Sequence, residues 1–409
     1  MKSLRAKWIV PVTRRPLEGG CVTIAGGRIV EVGPRPPAGA QVTDLGDVAL
    51  LPGLVNAHTH LEFSDLVGPL GRPGMALPDW IRLVIAERRR GNRDAVAARS
   101  KGIAECHAAG VTTIGDVATV PPPEGARQDD SVLAFQESIG FSEQRIESAL
   151  ADLVQRFDST APRAGLSPHA PYTVHPRLLE AIVSLARARH APVAMHLAES
   201  PEELQLLHDG TGPFRDLLEE RSMWDARALP IGSRPMDYLR RLVAAPRALV
   251  IHGNYLATDE IEWAAQHRAV MSVVYCPRTH AYFAHSTYPL CELLAAGVRV
   301  TLGTDSRASN PDLSLLADLR FAAKAMPNVA PDAWLRMVTI DAAEALGLQQ
   351  HVGALQPGMR ADLIAVTCRK NPVEDVVFGD EPARVVALAA ADTARAQQLG
   401  ADEVGADAV

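Results

Sequence analysis

The chain has 409 residues, 47% hydrophobic and 22% charged, which is ordinary globular usage and excludes a disordered, collagen-like or disulfide-stapled protein. That length accommodates two or three average domains, or one large α/β barrel with something attached. With 41 Lys and Arg against 48 Asp and Glu the formal net charge is -7, which offers no footprint for gripping nucleic acid or an anionic membrane surface.

At the N-terminus no apolar segment of a signal peptide precedes Pro11, and no stretch approaches the ~18 apolar residues of a membrane span. The five cysteines, Cys21, Cys106, Cys276, Cys291 and Cys368, form no CxxC pair and are odd in number. A soluble protein of a reduced cytoplasm is expected. Residues 1–50 read as short strands at 8–12, 21–25 and 28–32, with Gly26-Gly27 as a hairpin turn. Near the other end, 352–355, a Pro357-Gly358 turn and 361–366 have the same texture. The two ends, 1–50 and 352–390, are therefore expected to pair into one small β-sandwich around a central insert.

The insert, 51–351, alternates apolar runs with helical patterns. The runs are 50–57, 111–117, 131–137, 165–170, 192–197, 248–252, 270–275 and 298–303. Between them apolar residues fall at helical spacing, as in Leu178, Ile182, Val183 and Ala186, or Leu290, Leu293 and Leu294 before Gly297. Continuous apolar runs suit buried parallel strands, and eight alternations suit an α/β fold of the (β/α)8 TIM barrel type; a doubly wound open sheet is the alternative. Two excursions are longer than a barrel loop needs. Residues 61–100 carry an amphipathic helix over 79–90 and are expected to form a lid or pocket wall, and 200–245 is similarly long. The 391–409 tail reads as helix or disorder and is assigned no chemistry.

Histidines mark the strand ends. His58 and His60 close the first run two residues apart, so on a strand they point to one face and can offer two imidazoles to one metal. His169 ends the fourth run, His196 the fifth, His252 the sixth and Asp305 the eighth, each at the C-terminal end where barrel enzymes build their sites. Imidazole and carboxylate without thiolate suit a catalytic zinc or iron site with an open position, and His58, His60, His196 and Asp305 make such a set. A cation held there lowers the pKa of its water. Glu199, three residues past His196, reads either as a proton shuttle or as an acid in a helix first turn before Ser200-Pro201-Glu202-Glu203.

Other signatures fail. His60-Leu61-Glu62 satisfies half of the small nucleobase-deaminase motif, but its PCxxC half is nowhere in the chain. HExxH, GxSxG and GxxxxGK[ST] are all absent as well. Cys276, before Pro277, follows an apolar run and reads as a buried thiol.

Leu51-Pro52-Gly53-Leu54-Val55-Asn56-Ala57-His58-Thr59-His60 resembles the opening motif of the amidohydrolase superfamily. The likeness continues through His196-Leu197-Ala198-Glu199, His252, Cys276-Pro277 and Gly303-Thr304-Asp305-Ser306, and through the closing 353–363. It is nearest to the branch of chlorohydrolases, guanine deaminases and adenosine-derivative deaminases, which holds one metal ion. The resemblance implies His58, His60, His196 and Asp305 as ligands of one divalent ion, zinc before iron or manganese. It implies Glu199 as proton shuttle, Asp305 as acceptor of the water's proton, and His252 as an orienting group. Ser167-Pro168-His169-Ala170-Pro171-Tyr172 resembles a substrate-facing segment of aminofutalosine-type deaminases. Glu62, His169, Tyr172, Arg278 and His280 are accordingly the expected substrate contacts, although Cys276-Pro277-Arg278-Thr279-His280 departs from the serine–asparagine ending of many relatives.

Two-metal amidohydrolases bridge their ions with a carbamylated lysine near the end of the fourth strand. Here the only lysine between His60 and Asp305 is Lys101, which points to the one-metal type. The expected function is hydrolytic deamination of an aromatic nitrogen heterocycle, a purine or nucleoside derivative such as aminodeoxyfutalosine. The alternatives are hydrolysis of another C–N or C–Cl bond, as in a triazine or cyclic amide, and a metal-binding barrel without catalysis. The expected partner is a small heterocycle, with no nucleic acid or membrane; a homodimer is compatible with this reading, which leaves the oligomeric state open.

Overall fold

The computed structural model describes residues 1–90, 93–120, 129–159 and 164–386. Seven strands precede the barrel: β1 (Lys2–Arg5), β2 (Trp8–Ile9), β3 (Leu17–Glu18), β4 (Cys21–Ala25), β5 (Arg28–Gly33), β6 (Gln41–Asp44) and β7 (Val48–Pro52). The barrel strands are β8 (Leu54–Thr59), β9 (Val111–Ala118), β10 (Val132–Ser138), β11 (Ala164–Pro168), β12 (Val193–Leu197), β13 (Ala248–His252), β14 (Met271–Tyr275) and β15 (Arg299–Leu302). After them come β16 (Leu363–Thr367) and β17 (Ala383–Val385).

Strands β8 to β15 pair in chain order, all parallel, with helices in the connections. Their buried runs of Val, Ile, Leu and Ala satisfy the demand of a parallel sheet for cover on both faces. The ring closes where β15 meets β8: the His58 carbonyl accepts from the backbone N–H groups of Thr304 (3.1 Å) and Asp305 (3.2 Å), and Thr59 bridges Asp305 in parallel. The seam is tight. A Cβ at position 303 would lie 2.8 Å from the His58 carbonyl oxygen, which is why glycine stands there.

Beside the barrel, a four-stranded sheet in the order β5-β4-β1-β6 lies against a five-stranded one in the order β17-β16-β7-β2-β3. One apolar cluster, including Leu4, Ile9, Val22, Ile24, Leu50 and Leu363, fills the space between them. The apolar run at 50–57 is therefore not one strand. Gly53 divides it: its N–H goes to the Asp362 carbonyl, whereas the next N–H, of Leu54, goes to Gly110, so the chain changes sheets there. Because both halves are buried, periodicity carries no mark of the change. The strand expected at 352–355 does not form either, since Gly353 at φ +92° breaks the extension and the segment packs as a buried turn. The 391–409 tail lies outside the described residues. Among the described residues no helix is long and apolar enough to cross a membrane.

The helix expected over 79–90 is Leu77–Arg88, and 200–245 contains the helices Pro201–Asp209, Pro213–Glu220 and Pro235–Leu242. Leu77–Arg88 and Pro213–Glu220 touch across the C-terminal mouth of the barrel, where Arg82 forms a fork with both oxygens of Glu220 (2.9 and 2.7 Å).

Candidate active site

His58, at the end of β8, is 1% exposed, and neither of its ring nitrogens has a hydrogen-bond partner among the described residues. Its Nε2 lies 3.6 Å from Asp305 Oδ1, and His60 Nε2 lies 3.8 Å from the same oxygen. His60 Nε2 also faces His196 Nε2 at 3.3 Å. His58, His60 and Asp305 thus form one group close enough to share an ion, and His58, His196 and His252 form another. Around a tetrahedral ion with bonds of about 2.0–2.1 Å the donors stand roughly 3.3–3.5 Å apart, close to the separations seen here. Bare imidazole nitrogens buried face to face are costly, and a cation between them removes that cost. The donor set therefore fits a divalent ion.

The surroundings fix each donor. His196 Nδ1 donates to the His169 carbonyl at 3.0 Å, which leaves its Nε2 as a lone pair toward the centre. Asp305 Oδ2 accepts from the Ser309 hydroxyl at 3.0 Å, leaving Oδ1 toward the histidines. Asn56 bonds Thr304 through both its amide nitrogen (2.8 Å) and its oxygen (3.2 Å), tying the first barrel strand to the last. Burial holds the His60, His196 and His252 rings well below their usual pKa. Burial alone would raise the Asp305 carboxyl, but the imidazoles of His58, His60 and His252 outweigh it and keep the group ionised.

His252 and Glu199 stand beside this centre, with His252 Nε2 3.3 Å from Glu199 Oε1. Burial, together with the charges of Asp305 and Glu203, pushes the Glu199 carboxyl well above the usual carboxylate range, which suits a group that both takes and gives a proton. Three non-glycine residues here have left-handed backbones: Ala198 (φ 53°), His252 (φ 70°) and Asp305 (φ 54°). Such conformations persist where the surroundings over-determine them. Glu203 is one such support, because its fully buried carboxylate accepts from the N–H groups of Ala198 and Glu199, both at 2.9 Å. Glu203→Ala is expected to leave two buried N–H groups unpaired at about 1–3 kcal/mol each, lowering the melting temperature and, because the Glu199 loop loosens, kcat as well.

Above the centre lies a cavity of about 170 Å³. Its floor is His60, His196, His252, Asp305 and Glu199; its walls are mostly apolar, from Leu77, Trp80, Ile81 and Val84 on one helix and Leu217, Leu218 and Met223 on the other side. His169 and Tyr172 line it as expected. The other expected contacts do not. Arg278 is held in a network with Asp312 (2.7 Å) and Asp318 (2.8 Å), which stitches the segment after β14 to a neighbouring helix. His280 packs among Tyr275, Tyr288 and His285. Glu62 acts one step away, since its carboxylate holds Arg88, a cavity residue, at 2.6 Å and Thr119 Oγ1 at 2.8 Å. Lys101 is exposed on the helix Ala95–Ala108, away from the cavity lining.

Sequence reasoning missed Glu137, Arg88 and the Leu217, Leu218 and Met223 wall. Glu137 carried a usable signal: it closes the third apolar run as His169 closes the fourth.

The amidohydrolase family model matches residues 49–390. The chain belongs to the amidohydrolase family. Within that family it is 30% identical over 388 residues to a 5-methylthioadenosine/S-adenosylhomocysteine deaminase of Moorella thermoacetica, covering 88% of this chain and 84% of the relative. To an aminodeoxyfutalosine deaminase of Deinococcus radiodurans it is 31% identical over 329 residues, with 76% and 75% covered. Among solved structures, the Helicobacter pylori aminofutalosine deaminase bound to methylthio-coformycin matches 94% of this chain and 98% of its own, with a TM-score of 0.81 at 20% identity. At that identity the structural match speaks for the fold of this amidohydrolase.

Proposed function

We propose that this amidohydrolase is a metal-dependent aminohydrolase that removes ammonia from an aromatic nitrogen heterocycle, a purine or nucleoside derivative of the aminodeoxyfutalosine or methylthioadenosine kind. The observation that carries this reading is the pair of overlapping donor groups, His58 with His60 and Asp305 and His58 with His196 and His252, beneath a cavity lined by His60, His196, His252, Asp305 and Glu199. The deaminase relatives at about 30% identity support the substrate class. In this reading the four residues hold one ion, and the N/O donor set favours zinc, with iron or manganese as substitutes.

When bound, the ion supplies Lewis acidity and makes a water nucleophilic near neutral pH. The chain supplies the rest. Asp305 accepts a proton from the attacking water, Glu199 protonates the ring nitrogen next to the attacked carbon, and His252 holds Glu199 and water in register. Asp305 then passes the proton it took to the exocyclic amine, which leaves as ammonia, and the apolar walls keep bulk water out.

The test is ammonia release from methylthioadenosine, S-adenosylhomocysteine, aminodeoxyfutalosine, adenosine and guanine, run beside chloride release from a chlorotriazine. Ammonia from one of the purine compounds is the expected result; chloride alone would replace the reading with its dehalogenating alternative, and no turnover of any compound by metal-loaded protein would end it. The pH profile follows from the same residues. Ligand imidazoles must be neutral, and burial lowers the pKa of His60 and His196 below 6.5, so kcat/KM is expected to stay flat from pH 8 to 6.5 and to fall only on further acidification. A profile already halved at pH 7 would contradict this.

A further inference from the structure

The segment after β14 holds the loop of Asp305 from two directions. Its helix, Pro277–Tyr282, places Thr279 in the core, and the Thr279 hydroxyl lies 2.9 Å from that of Ser309, which is fully buried. The Ser309 hydroxyl lies in turn 3.0 Å from Asp305 Oδ2. The donors in this chain can be assigned. An ionised carboxylate only accepts, so Ser309 gives its single hydrogen to Asp305, and Thr279 must then donate to the Ser309 oxygen. The reverse order, with Ser309 donating to Thr279, would set a hydroxyl lone pair against Asp305 Oδ2. Hydrogen bonds that run head to tail polarise one another, so the Thr279 hydroxyl strengthens a bond it does not touch. From the other side Arg278 holds Asp318 at 2.8 Å, and Asn310 Nδ2 donates both to Asp318 (3.1 Å) and to the carbonyl of Thr304 (2.7 Å), the residue before Asp305. The left-handed backbone of Asp305, at φ 54°, needs such bracing.

We propose that Thr279 is a positioning residue for the proposed ligand Asp305. Acting through Ser309, it fixes the carboxylate with Oδ2 bonded and Oδ1 turned toward the ion, so that loss of its hydroxyl weakens the hold on the metal. The inference rests on the one-ion reading of the site and is independent of the substrate. The segment whose Arg278 and His280 are expected at the substrate thereby serves the cage instead.

The experiment is transfer of zinc from the loaded protein to a chromophoric chelator at equilibrium, beside the melting temperature of each metal-free protein. The proteins compared are the wild type, Thr279→Val, Thr279→Ser, Ser309→Ala, and Thr279→Val combined with Ser309→Ala. Thr279→Val is expected to weaken zinc binding by about tenfold, and Ser309→Ala by about tenfold to hundredfold, the range for partners standing behind a metal ligand. Thr279→Ser keeps the hydroxyl and should stay within about twofold of the wild type. In the combined variant the loss should match that of Ser309→Ala alone, because a residue that acts through Ser309 then has nothing to act on. A purely structural threonine would instead lower the metal-free melting temperature and leave zinc affinity unchanged. Should valine not be accommodated, Thr279→Ala removes the same hydroxyl and carries the same expectations. Wild-type affinity in the hydroxyl-free variants, a loss that Thr279→Ser shares, or losses that add in full in the combined variant would each overturn the proposal. The site itself is judged by Asp305→Ala. If that variant loses zinc and Thr279→Val does not, only the role of Thr279 falls, whereas a wild type that takes up no zinc removes the one-ion reading and the role of Thr279 with it.

Discussion

Glu199→Gln is expected to retain the bound ion and to lose turnover by about 10²–10⁴-fold, the range for removal of a positioned acid–base group. Glutamine matches the volume of glutamate and can keep the contact with His252, which stands at 3.3 Å, and the loop bonds do not depend on the side chain. Asn254 Nδ2 would still donate to the carbonyl of residue 199 at 2.8 Å, and Glu203 would still accept its N–H. What disappears is the ability to carry a proton. Metal content by elemental analysis should match the wild type, and KM should move far less than kcat. A variant with unchanged kcat would remove Glu199 from the chemistry; one that loses its metal would show that residue 199 supports the ion's cage instead.

Removing the ion, or its carboxylate, is expected to have the second large effect. Asp305 Oδ1 is the only negatively charged donor among the converging atoms, and it faces two imidazole nitrogens at 3.6 and 3.8 Å. Asp305→Ala should abolish stoichiometric metal binding and with it all measurable turnover. Stability gives an independent reading, because an ion that binds only the folded chain stabilises it by RT ln(1 + [L]/Kd), about 4 kcal/mol at a thousandfold excess over Kd. A chelator should therefore lower the melting temperature of the wild type by several degrees and leave Asp305→Ala unmoved. Equal shifts in both proteins would mean that the stabilising ion sits elsewhere.

The barrel was legible because its strands are buried on both faces and read as unbroken apolar runs, each bounded by a helical pattern. The same property hid the change of sheet at Gly53, where two doubly buried strands abut and no polar residue marks the join. His58, His60, His196, His252 and Asp305 were legible because a polar residue ending an apolar run is conspicuous. Glu137 met the same criterion and was passed over, since a lone acid has no partner within its own segment to draw notice. Arg278 failed in the opposite way. Its neighbours in sequence suggested the pocket, but its partners Asp312 and Asp318 lie 34 and 40 positions on, and only the folded chain reveals that they claim it. The wall from 61–100 was expected, and Leu77–Arg88 supplies it, but which face of that helix or of Pro213–Glu220 turns inward depends on how the two helices meet over the barrel mouth.

The seam between β15 and β8 also sets a schedule. Thr59 and Asp305 meet across 246 positions, and the residue whose carbonyl closes the ring, His58, is itself among the proposed ligands. At about 5–20 residues per second of synthesis, His58 and His60 wait on the order of tens of seconds before Asp305 exists to complete the cage. Throughout that interval the chain offers imidazoles alone from the proposed set, His58 and His60 first and His196 later, without the one carboxylate. In the proposed reading the full donor set therefore exists only once the last barrel strand has closed the ring on the first, so that completing the fold and completing the cage are one event.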